Sequence, residues 1–97
     1  MITVTFDKNK IKITGHAGYA EPGKDIVCAA VSTLVQTLIA SADELTEDVL
    51  SVDLQSGNTE IEFRNPSERS MLLLDSFFVG VRMISNSYPN NVWIVRA

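Results

Sequence analysis

Residues 2–14, Ile2-Thr3-Val4-Thr5-Phe6-Asp7-Lys8-Asn9-Lys10-Ile11-Lys12-Ile13-Thr14, decide how the rest of the chain is read. Ile2, Val4 and Phe6 alternate with Thr3 and Thr5, and Ile11 and Ile13 alternate with Lys10, Lys12 and Thr14. A period of two is that of a strand with one buried and one solvated face. Two such runs joined by the polar Asp7-Lys8-Asn9 predict an antiparallel hairpin. A breaker-rich stretch follows, Gly18-Tyr19-Ala20-Glu21-Pro22-Gly23-Lys24-Asp25, and beyond it the period changes. Val27, Val31, Leu34, Val35, Leu38, Ala42 and Leu45 fall on one helical stripe. Asp25 is placed to cap that helix, because its carboxylate can accept an orphan backbone N–H.

The pattern then repeats. Leu50, Val52 and Leu54 alternate with Ser51, Asp53 and Gln55, Ser56-Gly57-Asn58 turns the chain, and Thr59 to Phe63 alternates again, which predicts a second hairpin. Asn65-Pro66-Ser67-Glu68 predicts a helix start with Asn65 as the cap, Pro66 in the first turn and Glu68 at capping-box spacing. That helix is expected to run to about Ser85, with Tyr88-Pro89-Asn90-Asn91 as the connection to a short last strand, Val92-Trp93-Ile94-Val95. The order β-β-α-β-β-α-β predicts an α+β fold, a two-layer domain over residues 1–97 with a mostly antiparallel or mixed sheet and two helices. The second helix carries Met71, Leu72, Leu73, Leu74, Phe77, Phe78, Val79, Val81, Met83 and Ile84, apolar nearly all round, so part of it is expected to meet a second copy of the chain.

Composition narrows the function classes. The chain has 97 residues, a net charge of −4, and eight scattered Lys and Arg residues. Nucleic-acid binding needs clustered cations to release counterions, so no direct nucleic-acid partner is expected. One cysteine cannot form an internal disulfide, which suits a reducing compartment. The start, Met1-Ile2-Thr3-Val4, is not a signal peptide, and the apolar-rich stretch 71–84 is broken by Asp75, Ser76, Gly80 and Arg82, too short and too polar to span a bilayer. A cytoplasmic protein with no membrane partner is expected. The acidic group Asp43, Glu44, Glu47 and Asp48 lacks the alternation of a calcium loop and is expected to be a solvated helix end.

The chemistry-bearing residues are the lone His16 and the lone Cys28. Asp25, Cys28 and Ser32 are spaced i, i+3 and i+7, which puts them on one face of the helix. A helix N-terminus carries partial positive charge and unpaired N–H groups, and both favour an anionic sulfur or a developing oxyanion. An imidazole on the preceding loop can take the thiol proton and return it to a leaving amine. Spacing alone leaves the ordinary alternative open: a cysteine in an Ile-Val-Cys-Ala-Ala run is more often an inert core residue, and Asp25 more often a simple cap.

Gly15-His16-Ala17, and then Gly23-Lys24-Asp25-Ile26-Val27-Cys28-Ala29-Ala30-Val31-Ser32, resemble in sequence and in separation the signature of the ribosomal-processing cysteine proteases, the Prp family. The resemblance implies a small homodimeric cysteine endopeptidase. Its substrate is the precursor of a large-subunit ribosomal protein (number twenty-seven), from which it removes an N-terminal extension by cutting after paired aromatic residues. It implies that His16 and Cys28 are the catalytic pair and that Asp25 and Ser32 are the polar positions accompanying them. No metal or organic cofactor is expected. The loop Ala17 to Lys24, with Gly18, Tyr19, Pro22 and Gly23, is expected to be a substrate-binding lid with few apolar anchors beyond Tyr19; its centre, Tyr19-Ala20-Glu21-Pro22, departs from the family pattern. Two rival readings use the same residues: a non-catalytic peptide-binding module, ribosome-associated or phage-encoded, and a thiol acyl transferase.

Overall fold

A computed structural model describes residues 1–97 as seven elements in the expected order. They are β1 (Ile2–Asp7), β2 (Lys10–Thr14), α1 (Ile26–Leu45), β3 (Val49–Gln55), β4 (Asn58–Arg64), α2 (Glu68–Ser87) and β5 (Val92–Arg96). The strands form one sheet in the order β3-β4-β2-β1-β5. β1–β2, β2–β4 and β3–β4 pair antiparallel, while β5 joins β1 in parallel, so the sheet is mixed.

Register follows from the alternation read in the sequence. Pairs such as Phe6–Ile11, Val4–Ile13, Ile11–Ile61 and Val4–Ile94 put the apolar residues of β1, β2, β4 and β5 on one side of the sheet. That side meets the helices. Val27, Val31, Val35, Leu38 and Ala42 of α1 and Leu74, Phe77 and Val81 of α2 are buried with Val4, Ile11, Ile61, Phe63 and Val92 in one core. The other side of the sheet is polar, with Lys10 and Lys12 both about Glu60, at 3.7 and 3.9 Å. At 20 residues α1 has the length and apolar composition to cross a membrane, yet its stripe is spent on the sheet, as befits a core helix.

Two details differ from the sequence expectation. The cap of α2 is Ser67, whose Oγ accepts the Ser70 N–H, rather than Asn65. Pro66 disfavours a helical conformation in the residue before it, and Asn65 takes a left-handed one instead (φ 47°), which asparagine tolerates. Nor is Asp48 merely solvated. Its Oδ2 accepts from the Ser67 N–H (2.8 Å), the Ser67 hydroxyl (2.6 Å) and the hydroxyl of the fully buried Ser70, so it ties the start of β3 to the first turn of α2. These bonds hold its carboxyl below its ordinary value, the Ser67 hydroxyl most of all.

Candidate active site

His16 leaves the end of β2 on a narrow pedestal. Gly15 before it has φ +87°, and a Cβ there would collide with the Met1 carbonyl oxygen, so only glycine lets the chain pass this close to β1. The Gly15 N–H donates to the Gly57 carbonyl oxygen at 2.9 Å, fixing the pedestal to the β3–β4 turn. The imidazole lies over that turn: a Cβ built on Gly57 (φ +73°) would stand 3.1 Å from His16 Nε2.

Cys28 sits half-buried in the first turn of α1. Its Sγ accepts the Ala17 N–H at 3.3 Å. Ala17 is 2% exposed, and its carbonyl oxygen accepts the Asn91 side-chain N–H at 3.0 Å. The backbone of Ala17 is thus held on both sides of its Cα, by Cys28 through its N–H and by Asn91 through its carbonyl. Asp25 caps the helix through Oδ1, which accepts the N–H groups of Val27 (3.0 Å) and Cys28 (2.9 Å). Its Oδ2 accepts those of Tyr19 (3.0 Å) and Ala20 (3.3 Å). The carboxyl is held below its ordinary range, first by the Cys28 N–H; desolvation opposes this, and the Ala20, Tyr19 and Val27 N–H groups add to the lowering. One carboxylate therefore shapes both the helix start and the loop before it. It also occupies the Val27 and Cys28 N–H groups, which leaves the Ala17 N–H as the donor aimed at the sulfur.

Two clefts flank the pair. The smaller, about 320 Å³, runs between α1 and the β3–β4 turn and combines His16 and Cys28 with an apolar floor of Ile2, Ile13, Val31, Val35 and Leu54. The larger, about 730 Å³, is walled by the loop residues Gly18, Ala20, Pro22 and Gly23 together with Asp25. His16, Cys28 and Ser32 line both, and so does Ser56. Ser32 is exposed, and no hydrogen bond joins His16 to Cys28 in this state. The expected lid is better anchored than its composition suggests: Ala17 belongs to the core, and Tyr19 meets Tyr88 edge-on at 5.4 Å.

Residues 1–93 match the family described as cysteine protease Prp. The chain belongs to the Prp family. It is 32% identical to the ribosomal processing cysteine protease Prp of Mycoplasma genitalium, over 97% of this chain and 94% of that one. With the Prp of Bacillus subtilis it shares 28% identity over 84% of this chain and 79% of the other. Among solved structures, the Staphylococcus aureus Prp in complex with a covalently linked product peptide superposes with a TM-score of 0.96 at 24% identity, each chain covered in full. A Streptococcus mutans protein, SMU.848, superposes at 0.77 with 30% identity, over 99% of this chain and 93% of that one. The α+β fold is that of Prp, and the protein is a cysteine protease, which sets aside the non-catalytic and acyl-transferase readings. Asn91 and Gly57 are the site residues that sequence reasoning did not assign, and Ala17, read as part of the lid, is instead a core residue that donates to the sulfur. Gly57 at a hairpin turn was visible only as a turn residue, and Asn91 only as part of a connection.

Proposed function

We propose that this protein is a homodimeric cytoplasmic peptidase that removes an N-terminal extension from the precursor of large-subunit ribosomal protein number twenty-seven, cutting after paired aromatic residues. The observation carrying the proposal is the joint placement of Cys28 and His16 on the wall of an apolar cleft, with the Ala17 N–H directed at the sulfur. The relatives named as ribosomal processing proteases give the substrate class. A floor of Ile2, Ile13, Val31, Val35 and Leu54 suits a bulky apolar side chain, since an aromatic ring buries a large area for few lost rotamers. Exposed Leu72, Val79 and Met83 on α2 support the dimer.

In this reading the Cys28 sulfur attacks the scissile carbonyl carbon while His16 takes the thiol proton. The tetrahedral intermediate collapses as the C–N bond breaks, and His16 gives that proton to the leaving amine. Water then attacks the thioester carbon, His16 accepting its proton. The acid product leaves and the proton returns to sulfur. Asp25 serves by position, holding the helix start and the loop, and Ser32 flanks Cys28 from the next turn.

Incubation with the ribosomal precursor tests the reading. The expected result is a single shortened product from the native enzyme, none from Cys28→Ala, and a rate lowered by about 10²–10⁴-fold in His16→Ala. An intact precursor, or equal cleavage when its aromatic pair is replaced by alanines, overturns the substrate assignment. Cleavage by Cys28→Ala overturns the nucleophile.

A further inference from the structure

The chain holds a single cysteine, so Cys28 is the thiol on which a cysteine protease of this sequence must rely. For the same reason it has no partner thiol in the chain with which to close a disulfide. What faces the sulfur instead is a main-chain nitrogen. The Ala17 N–H points at Cys28 Sγ with the two atoms 3.3 Å apart, across 11 residues of sequence. Asn91 holds the Ala17 carbonyl oxygen at 3.0 Å, so this nitrogen is kept in place.

The sulfur is also within reach of a small oxidant. Cys28 is half-buried and lines both clefts, of about 320 and 730 Å³. A molecule the size of water takes up only about 30 Å³ of liquid, so a hydroperoxide enters either cleft and the side chain has room to turn.

We propose that Cys28 Sγ and Ala17 N form an oxidative cross-link site, at which a hydroperoxide converts the thiol to a cyclic sulfenamide and reversibly switches the peptidase off. The Cys28 thiolate attacks one peroxide oxygen; an S–O bond forms, the O–O bond breaks, and the departing oxygen leaves as water after taking up a proton. Sulfur is oxidised by two electrons and the peroxide reduced by two. The Ala17 nitrogen then attacks the sulfenic acid sulfur: an S–N bond forms, the S–O bond breaks, and the amide proton leaves with the hydroxyl as water. Further oxidation to a sulfinate is disfavoured, since it would set a second anion near the Asp25 carboxylate, which already occupies the Val27 and Cys28 N–H groups. The sulfenamide is neutral. One small thiol reopens it to a mixed disulfide and a second releases free Cys28 as the small disulfide forms.

The test uses the full chain, hydrogen peroxide and mass spectrometry, and needs no substrate, so it stands apart from the ribosomal assignment. The expected product is lighter than the reduced chain by about 2 Da, two hydrogens. Lys24 is the last lysine, so cleavage after lysine separates Ile13–Lys24, with Ala17, from Asp25–Ala97, with Cys28. The oxidised protein is expected to yield these two pieces joined, and dithiothreitol to part them. In guanidinium chloride, where Sγ and N are no longer neighbours, the joined pair is expected to fall at least about tenfold, because proximity drives the ring closure. Four outcomes overturn the proposal: a sulfenic acid that persists in the native protein and is captured by dimedone without any joined pair; direct passage to sulfinic acid; two chains joined by a disulfide; or equal joining in guanidinium chloride.

Discussion

Gly57 gives a direct test of whether His16 works from the place the fold assigns it. Two substitutions separate backbone strain from contact. Gly57→Ala adds a Cβ 3.1 Å from His16 Nε2 and also forces an L-residue into φ +73°. Gly57→Asn adds the same Cβ, but asparagine tolerates the left-handed region far better. The backbone cost of alanine is about 1–2 kcal/mol. For a domain of this size that lowers Tm by roughly 5–15 °C. Asparagine is expected to stay within a few degrees of the native protein. The contact acts differently: in both variants the imidazole must give way by a few tenths of an ångström or rotate. Misplacement by about 1 Å can cost about 10²-fold in rate, so a fall of about tenfold in kcat/KM is expected for both. Thermal unfolding followed by circular dichroism and initial rates on one peptide read the two effects separately. The reasoning is refuted if Gly57→Asn is stable and cleaves like the native enzyme, since the imidazole then does not act from above the turn.

Three further outcomes follow from other contacts. Asn91→Ala removes one hydrogen bond to the Ala17 carbonyl oxygen, expected to cost about 1 kcal/mol of stability but to lower kcat more than KM, because Ala17 is the residue donating to Cys28 Sγ; an unchanged kcat counts against that link. Asp48 and Asp25 both titrate below their ordinary 3.8 in the fold, so the stability they add is complete above that value and is lost as pH falls through it toward the lowered one. The native Tm should therefore drop steeply below that pH, and Asp48→Asn should start lower and fall less steeply, as melting curves across a pH series would show. Phe63→Ala empties a fully packed site on β4 and is expected to cost about 3–5 kcal/mol, leaving little folded protein by chemical denaturation at 37 °C.

The seven elements could be read from the sequence because each is a local pattern: alternation in Ile2–Phe6, a helical stripe from Val27 to Ala42, breakers between them. Asp25 as a cap was legible for the same reason, since cap and capped N–H groups lie within three residues. Strand order was not. A period of two says which face is buried and nothing about which edge finds which neighbour, so the parallel union of β1 with β5 left no trace in either strand. The cap of α2 was displaced by two residues because Ser67 has a partner, Asp48, nineteen positions earlier. At the site, the His16–Cys28 signature was visible, whereas the support beneath it was not. Asn91 reaches Ala17 across 74 residues, and a single amide in a turn-rich connection looks the same whether or not it holds anything.

That last bond has a consequence for how the enzyme comes into being. Asn91 precedes β5, and its carbonyl oxygen also takes the Ile2 N–H that seats β1. Until Asn91 is in place, Ala17, whose N–H donates to the Cys28 sulfur, lacks the bond to its carbonyl. The support beside the thiol therefore depends on a contact made across 74 residues of sequence. The same long closure makes β5 docking a slow step relative to the local hairpins. The surroundings of Cys28 are complete only once β5 and the residue before it have met β1 and Ala17.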